Sequence, residues 1–255
     1  MFIEIFSKQD IAVDYLSMTG PVSKRFKPSL SNPYYFIRKS LYKKIREFAP
    51  QLKGKLLDFG CGSKPYKDLF VNVSEYIGLD FENEGHSHRN ESIDVMYDGK
   101  TIPFGDRHFD SVFSSEVFEH IFNLEQIMPE INRVMKNGAK LFVTCPFVWN
   151  EHELPNDYAR YTQFALRHLL EKNGFKILVQ DKTGDFTMAL YQMKMVYFNE
   201  HFIPAVPWLG KLKFFRVNIP PLINPILNAW FSFWHWLLPK RKDWYLNNIV
   251  LAEKL

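Results

Sequence analysis

The residues Lys55-Leu56-Leu57-Asp58-Phe59-Gly60-Cys61-Gly62-Ser63-Lys64-Pro65-Tyr66 decide how the rest of the chain is read. An apolar run leaves a polar linker near Lys53 and stops at Asp58-Phe59, as a short buried strand does. Gly60 and Gly62 then remove side chains, which lets the backbone turn sharply and lets a ligand lie against it. The start of a helix is expected to follow. A strand, a Gly-x-Gly turn and a helix N-terminus together make a nucleotide-binding corner of α/β proteins. The dinucleotide form of that corner has a third glycine three residues after the second, and here that residue is Pro65.

Outward from the corner, Tyr76-Ile77-Gly78-Leu79-Asp80-Phe81 is a second apolar run ending in an acid. Asp80 follows Gly60 at the distance where a βαβ unit sets a carboxylate beside a ribose, to accept hydrogen bonds from both hydroxyls. By itself an Asp at a strand end is a cap or turn residue. A third segment runs from Asp94 through Asp98-Gly99, Ile102-Pro103-Phe104 and Phe109-Asp110 into the apolar run Ser111 to Ser115. Glu116-Val117-Phe118-Glu119-His120-Ile121 comes next and is expected to open a helix. Leu124 to Met135 carries Leu124, Ile127, Ile131, Val134 and Met135 on one helical face, with Asn137-Gly138 as its terminator. Ala139 to Phe147 then reads as a buried strand ending at Pro146.

The segment Asp58-Phe59-Gly60-Cys61-Gly62 resembles motif I of the class I S-adenosylmethionine-dependent methyltransferases. The segments from Asp98 to Phe147, in their order, resemble the methyltransferase type 11 group. The resemblance covers roughly residues 33–183 and 244–254. It implies a Rossmann-like α/β fold, a seven-stranded sheet with an antiparallel last strand and helices on both faces. It implies S-adenosyl-L-methionine as cofactor, held by Asp58, Gly60, Cys61, Gly62, Asp80, Phe81, Asp98, Gly99 and Ser115. The role implied for Asp98 is to accept a hydrogen bond from the adenine amino group, which suits a carboxylate because it offers acceptors and no donor. His120 is expected to line the pocket wall, with a proton-accepting role as the alternative. Ser63-Lys64-Pro65 departs from the family pattern.

The loop Val148 to Thr162 follows a strand end, where open α/β sheets collect ligands. His152, Glu151, Glu153 and Asp157 are candidate proton acceptors there, and Arg160 and Tyr161 are candidates to orient an anionic or sugar group. The catalytic candidates are accordingly His152, Arg160 and Tyr161. For Arg160 the opposite reading, that it and Asp157 pin the loop to the following helix, has equal weight. The stretch Pro155-Asn156-Asp157-Tyr158-Ala159-Arg160-Tyr161-Thr162 resembles members of the group associated with sugar and surface-polysaccharide modification. No metal is expected: His86 and His88 sit in a charged loop with no strand pattern.

The chain has 255 residues, 46% hydrophobic and 24% charged, which suits a globular domain with an insertion. A net charge of +4 with dispersed basic residues does not point to nucleic acid. Cys61 and Cys145, each at a strand end and neither in a Cys-x-x-Cys pair, suggest a reducing, cytoplasmic compartment. The N-terminus carries an early acid and lacks the apolar core of a signal peptide.

Residues 1–32 read as an arm. Asn32-Pro33 opens a helix through Phe48 whose other face is basic. Phe164 to Glu171 is the next helix after the Val148 to Thr162 loop, Phe175 to Gln180 a sixth strand, and Trp244 to Lys254 the seventh. Residues 184–243 form an aromatic-rich helical insertion. It begins with a helix, Phe186 to Phe202, and continues as a segment broken by Pro220, Pro221 and Pro225, which argues against a spanning helix. Its tryptophans, flanked by Lys211, Lys213, Arg216, Lys240, Arg241 and Lys242, suit a membrane interface. A cap over the site and a dimer interface are the alternatives. The function expected is methyl transfer to a small-molecule, sugar or lipid-linked glycan acceptor at oxygen. The alternatives are an NAD(P)-dependent oxidoreductase and a non-catalytic membrane-associated scaffold.

Overall fold

The computed structural model describes residue 26 and residues 28–81, 91–205 and 213–255, with side chains left aside at 213–219. Most of the expected N-terminal arm, and His86 with His88, lie outside the described residues.

Strands β1 (Gly54–Phe59), β2 (Val73–Asp80), β3 (Val95–Met96), β4 (Phe109–Ser115), β5 (Met135–Pro146), β6 (Phe175–Thr183) and β7 (Asn247–Lys254) form one sheet in the order β3-β2-β1-β4-β5-β7-β6. The first five strands are mutually parallel, and β7 runs antiparallel to both β5 and β6. This is the expected seven-stranded Rossmann-like sheet with its reversed last strand.

Continuous apolar runs belong in strands buried on both faces, and alternate residues divide accordingly. Leu57 and Phe59 of β1, with Leu141 and Val143 of β5, join Ile127, Met128 and Ile131 of α2 (Leu124–Val134) and Leu166 and Leu170 of α3 (Gln163–Lys172). Leu56, Phe113, Phe142 and Leu251 point the other way, onto Leu41, Ile45 and Phe48 of α1 (Tyr35–Phe48). Each such side chain contributes roughly 1.5–3 kcal/mol when fully buried. The parallel edges all end on the same side of the sheet, and the switch in strand order between β1 and β4 opens a crevice there.

The local structure departs from expectation in four places. No full helix follows Gly62: the connection to β2 holds one 3₁₀ turn, Lys67–Leu69. Pro65 disfavours the helical region at the preceding residue, and Lys64 takes φ of 52° instead. Asn137-Gly138 does not end α2, which stops at Val134; Gly138, at φ of 76°, sits in a register shift near the start of β5. The Glu116–Ile121 segment makes a 3₁₀ turn, Phe118–His120, ahead of α2. Finally, Pro220, Pro221 and Pro225 do not break the insertion, which forms one helix, α5 (Lys213–Leu237).

Each proline removes an N–H and so one bond of α5, and the helix is held from outside. Asn228 donates to the carbonyls of Leu30 and Asn32, and Asn224 donates to that of Ser31. The Tyr191 ring, on α4 (Phe186–Tyr197), stacks on Phe231 with centroids 3.9 Å apart. His235 and Asp185 are joined at 2.8 Å. Gln192 of α4 accepts from the Phe36 and Ile37 N–H groups and donates to the Pro33 carbonyl, which fixes α4 across the start of α1. Among the described residues no helix is long and apolar enough to cross a membrane.

Candidate active site

β1 reaches the crevice at Phe59 and turns at Gly60, whose φ is 74°. A Cβ at Gly60 would come within 2.3 Å of the Val117 side chain, so glycine is required here by the loop after β4 as well as by its own dihedral. The Gly60 and Cys61 N–H groups both reach back to the Leu79 carbonyl, at 2.9 and 3.1 Å, and extend the β1–β2 ladder into the turn. Gly62 donates its N–H to Asp80 Oδ2 at 2.8 Å, while Asp80 Oδ1 accepts from the Phe81 N–H at 2.9 Å.

Phe59, Gly60, Gly62, Asp80, Phe81, Tyr97, Glu116, Val117, His120, Ile121 and Glu153 line a cleft open to solvent. One part is aromatic and apolar, at Phe81, Tyr97 and Ile121. Its acids, Asp80, Glu116 and Glu153, favour a ligand carrying positive charge.

Glu116 sits at φ of 57° and is fully held: Thr144 donates to Oε1 at 2.7 Å and buried Asn247 to Oε2 at 2.6 Å. Burial pushes its carboxyl up to about 7, against those two hydrogen bonds, which favour the charged form. Asn247 begins β7, so the antiparallel last strand braces the floor of the cleft directly.

The loop after β5 closes the far side. The Tyr158 and Ala159 N–H groups donate to the Glu119 carbonyl, at 2.8 and 3.3 Å, and bring the loop back onto the Phe118–His120 turn. His152 Nε2 consequently lies 3.1 Å from His120 Nε2. Glu119 Oε1 and Glu153 Oε2 approach the same His120 nitrogen at 3.8 and 3.7 Å. Burial, reinforced by His120, lowers His152 below its ordinary value, and raises the Glu119 carboxyl well above its own, with Glu116 adding to the rise.

Of the residues expected from sequence to hold the cofactor, Gly60, Gly62, Asp80 and Phe81 line the cleft. Asp58, on the α1 face of β1, takes the Tyr76 hydroxyl, and Cys61 is buried beneath Gly78. Ser115 pairs with the Thr144 hydroxyl at 2.8 Å. Asp98 lies one residue beyond the lining residue Tyr97 and is exposed. Its Oδ1 accepts from the Lys100 and Thr101 N–H groups, both at 2.8 Å, and those bonds, Thr101 first, hold its carboxyl low. Gly99 packs toward Phe81.

Among the catalytic candidates, His152 joins the histidine pair at the cleft. Arg160 is engaged elsewhere: its NH1 and NH2 meet Asp157 Oδ1 and Oδ2 at 2.6 and 2.7 Å, and NH2 also donates to the Asn150 carbonyl. Tyr161 packs beside the core, and its carbonyl accepts from Asn248. Glu116, Val117 and Ile121 belong to the Glu116-x-x-Glu119-His120-Ile121 segment, which by the family resemblance sits beside the cofactor, and they line the cleft; Tyr97 was not marked from the sequence.

A parallel sheet in this strand order, with an antiparallel seventh strand and a glycine turn answered by an acid at the end of β2, defines the class I methyltransferase fold. The family model described as a methyltransferase domain matches residues 57–143. A probable S-adenosylmethionine-dependent methyltransferase of Mycolicibacterium smegmatis is 28% identical over 185 residues, covering 67% of this chain and 69% of the relative. The mitochondrial ubiquinone biosynthesis O-methyltransferase of Rattus norvegicus is 33% identical over 128 residues, covering 43% of this chain and 36% of its own. A solved structure of a putative sarcosine dimethylglycine methyltransferase from Galdieria sulphuraria superposes with a TM-score of 0.53 at 16% identity, covering 86% of each chain. The chain belongs to the class I S-adenosylmethionine-dependent methyltransferases.

It is an enzyme and its cofactor is S-adenosyl-L-methionine. The cleft fits that molecule: a side-chain-free turn, a carboxylate at the end of β2, an aromatic part and an acidic lining suited to a sulfonium. The nicotinamide oxidoreductase alternative is not favoured, since both the family match and the reversed β7 point away from it.

Proposed function

We propose that this methyltransferase acts on an oxygen atom of a small-molecule, sugar or lipid-linked glycan acceptor. The observation that carries the reading is the group formed by His120, His152 and Glu153 at the edge of the cleft, with the two Nε2 atoms 3.1 Å apart. A hydroxyl has a proton to lose during methylation, and a proton-accepting group at the acceptor side is what such an acceptor needs. The O-methyltransferase relative from rat supports the same choice of atom.

The cofactor, when bound, supplies an electrophilic methyl group on sulfur. The chain's own contribution begins with alignment. Asp80 takes the ribose hydroxyls, Gly60 and Gly62 admit the methionine portion, and Phe81 with Tyr97 flanks the adenine. Asp98, next to Tyr97 in the chain, would accept a hydrogen bond from the adenine amino group. Holding an acceptor oxygen in line with the bond to be broken can supply about 7–11 kcal/mol. The acceptor's O–H proton passes to the His120, His152 and Glu153 group as the new oxygen–carbon bond forms. Arg160 acts through Asp157 as a positioning residue for His152, whose backbone N–H donates to Asp157 Oδ2 at 2.9 Å.

The exposed face of α5 supports a peripheral membrane contact. Ile226, Trp230, Phe233 and Trp236 project from it, Trp236 at 78% exposure, and Lys240, Arg241 and Lys242 follow immediately. An acceptor carried on a lipid would then be met at the bilayer surface.

The test is incubation of the enzyme with methyl-labelled cofactor and cell extract, separated into lipid, glycan and small-molecule fractions. Label is expected in a methyl ether formed on a hydroxyl oxygen; label confined to nitrogen or sulfur would overturn the reading. Flotation with anionic vesicles, wild type against a Trp230/Trp234/Trp236→Ala variant, tests the membrane contact, and equal recovery of both in the unbound fraction would remove it.

A further inference from the structure

Proton bookkeeping around His120 and His152 leaves too many acceptors. His120 Nδ1 lies 2.7 Å from the Asn156 carbonyl oxygen, which can only accept, so Nδ1 carries the proton and Nε2 of the neutral ring carries a lone pair. His152 Nδ1 faces the Asn150 carbonyl and Asp157 Oδ2, both at 3.3 Å and both acceptors. Arg160 NH2 also lies 3.5 Å from that nitrogen, at the limit of a hydrogen bond, and its closer partners are Asp157 Oδ2 and the Asn150 carbonyl. His152 therefore also carries its proton on Nδ1. Both Nε2 lone pairs point at one another across 3.1 Å.

Carboxylates converge on the same point. Glu119 is fully buried, and its Oε1, 3.8 Å from His120 Nε2, has no hydrogen-bond partner. Its other oxygen accepts from the Cys145 thiol. Glu153 Oε2 stands 3.7 Å from the same imidazole nitrogen. A buried carboxylate oxygen with nothing to accept from is costly unless a cation or proton meets it.

We infer that Glu119 Oε1, His120 Nε2 and His152 Nε2 form a binding site for a divalent transition-metal cation at the acceptor end of the cleft. The three atoms lie within 4.8 Å of one another. Atoms each about 2.0–2.2 Å from a shared ion stand roughly 3–4 Å apart, so small side-chain shifts close the set. A proton shared between the two histidines would satisfy the Nε2 pair and still leave the Glu119 oxygen unmet. Two imidazoles and one carboxylate are a borderline set that suits Mn²⁺, Fe²⁺ or Zn²⁺ better than Mg²⁺ or Ca²⁺. The outer contacts match a metal site too: each ring's Nδ1–H is directed at a carbonyl or carboxylate, which fixes the tautomer.

The ion's role, though not its binding, rests on the O-methylation reading. His120 and Glu153 line the cleft, where an acceptor hydroxyl that met the ion would become more acidic. Its proton then leaves to the Glu153 carboxylate. The oxygen's lone pair forms the bond to the methyl carbon, and the carbon–sulfur pair returns to sulfur. The histidines in this arrangement are ligands, and Glu153 is the proton acceptor.

The experiment is calorimetric titration of chelator-treated full-length enzyme with Mn²⁺ and with Zn²⁺, in the absence of acceptor. One ion per chain is expected, with affinity weakened at least a hundredfold in both His152→Ala and Glu119→Gln, and S-adenosylhomocysteine binding retained by His152→Ala as the control for folding. Absence of binding, or binding undiminished in His152→Ala, overturns the site. A stripped enzyme that binds no ion yet methylates oxygen would sink the site and leave the O-methylation reading standing. A metal-binding enzyme whose product is N-methylated would do the reverse.

Discussion

Gly62 donates its backbone N–H to Asp80 Oδ2 at 2.8 Å, which ties the glycine turn after β1 to the acid at the end of β2. No helix N-terminus follows that turn to organise it, since the connection holds only the 3₁₀ turn Lys67–Leu69. The carboxylate thus shapes the turn and lines the cleft.

Asp80→Ala is expected to weaken S-adenosylhomocysteine binding by tenfold or more, because hydrogen bonds to a charged group contribute about 1.5–3 kcal/mol each. Asp80→Asn should fall between, since its side-chain carbonyl can still accept from Gly62. Calorimetry decides the matter, and unchanged affinity in Asp80→Ala would remove the proposed ribose contact.

A second expectation concerns Gly60 and Val117. Gly60→Ala places a methyl 2.3 Å from Val117 Cγ2 and strains a φ of 74°, so a loss of roughly 2–4 kcal/mol in stability is expected. Adding Val117→Ala relieves the clash but not the dihedral strain. Chemical denaturation of both variants should show partial recovery in the double substitution. No recovery at all would show that the backbone conformation, not the contact, demands glycine.

Asp58 supplies a pH dependence. Burial, opposed by the Tyr76 hydroxyl and reinforced by Asp80, pushes its carboxyl up to about 7. The folded chain therefore holds a proton that the unfolded chain releases near pH 4, and stability from this group is present below pH 4 and lost as pH rises to about 7. Asp58→Asn, which cannot ionise, should flatten the slope of unfolding free energy between pH 4 and 7. An identical slope in wild type and variant would contradict the assignment.

Arg160 offers a fourth test. Its two-point contact with Asp157, whose side chain is 2% exposed, holds the loop that carries His152. Arg160→Ala leaves that carboxylate unpaired and is expected to cost about 3 kcal/mol and to admit proteolysis near residues 150–160. Arg160→Lys should restore little, because an ammonium cannot make the forked contact. Full protection of the loop in Arg160→Ala would refute the pinning role.

Much of the fold was legible because burial on both faces leaves a dense apolar trace. Leu56-Leu57, Val112-Phe113, Leu141-Phe142-Val143 and Ile249-Val250-Leu251 each announce a central strand, and the acid after β2 announces its end. The prolines of α5 misled for a physical reason. Pro220, Pro221 and Pro225 cost that helix internal bonds, but contacts to residues 30–32, near the start of α1 and almost two hundred positions away, secure it. Nor could local pattern show that Pro65 would replace a helix with a single turn.

What the linear sequence determined by itself was the donor half of the site: a Gly-x-Gly turn and an acid at the next strand end, each set by backbone geometry within a few residues. The tertiary structure alone decided the half proposed to meet the acceptor. His120 and His152 meet at 3.1 Å because Tyr158 and Ala159 dock on the Glu119 carbonyl, and Glu116 is held by Asn247 from the far end of the chain. Such contacts depend on how separate segments pack, and residue order carries no local signature of them.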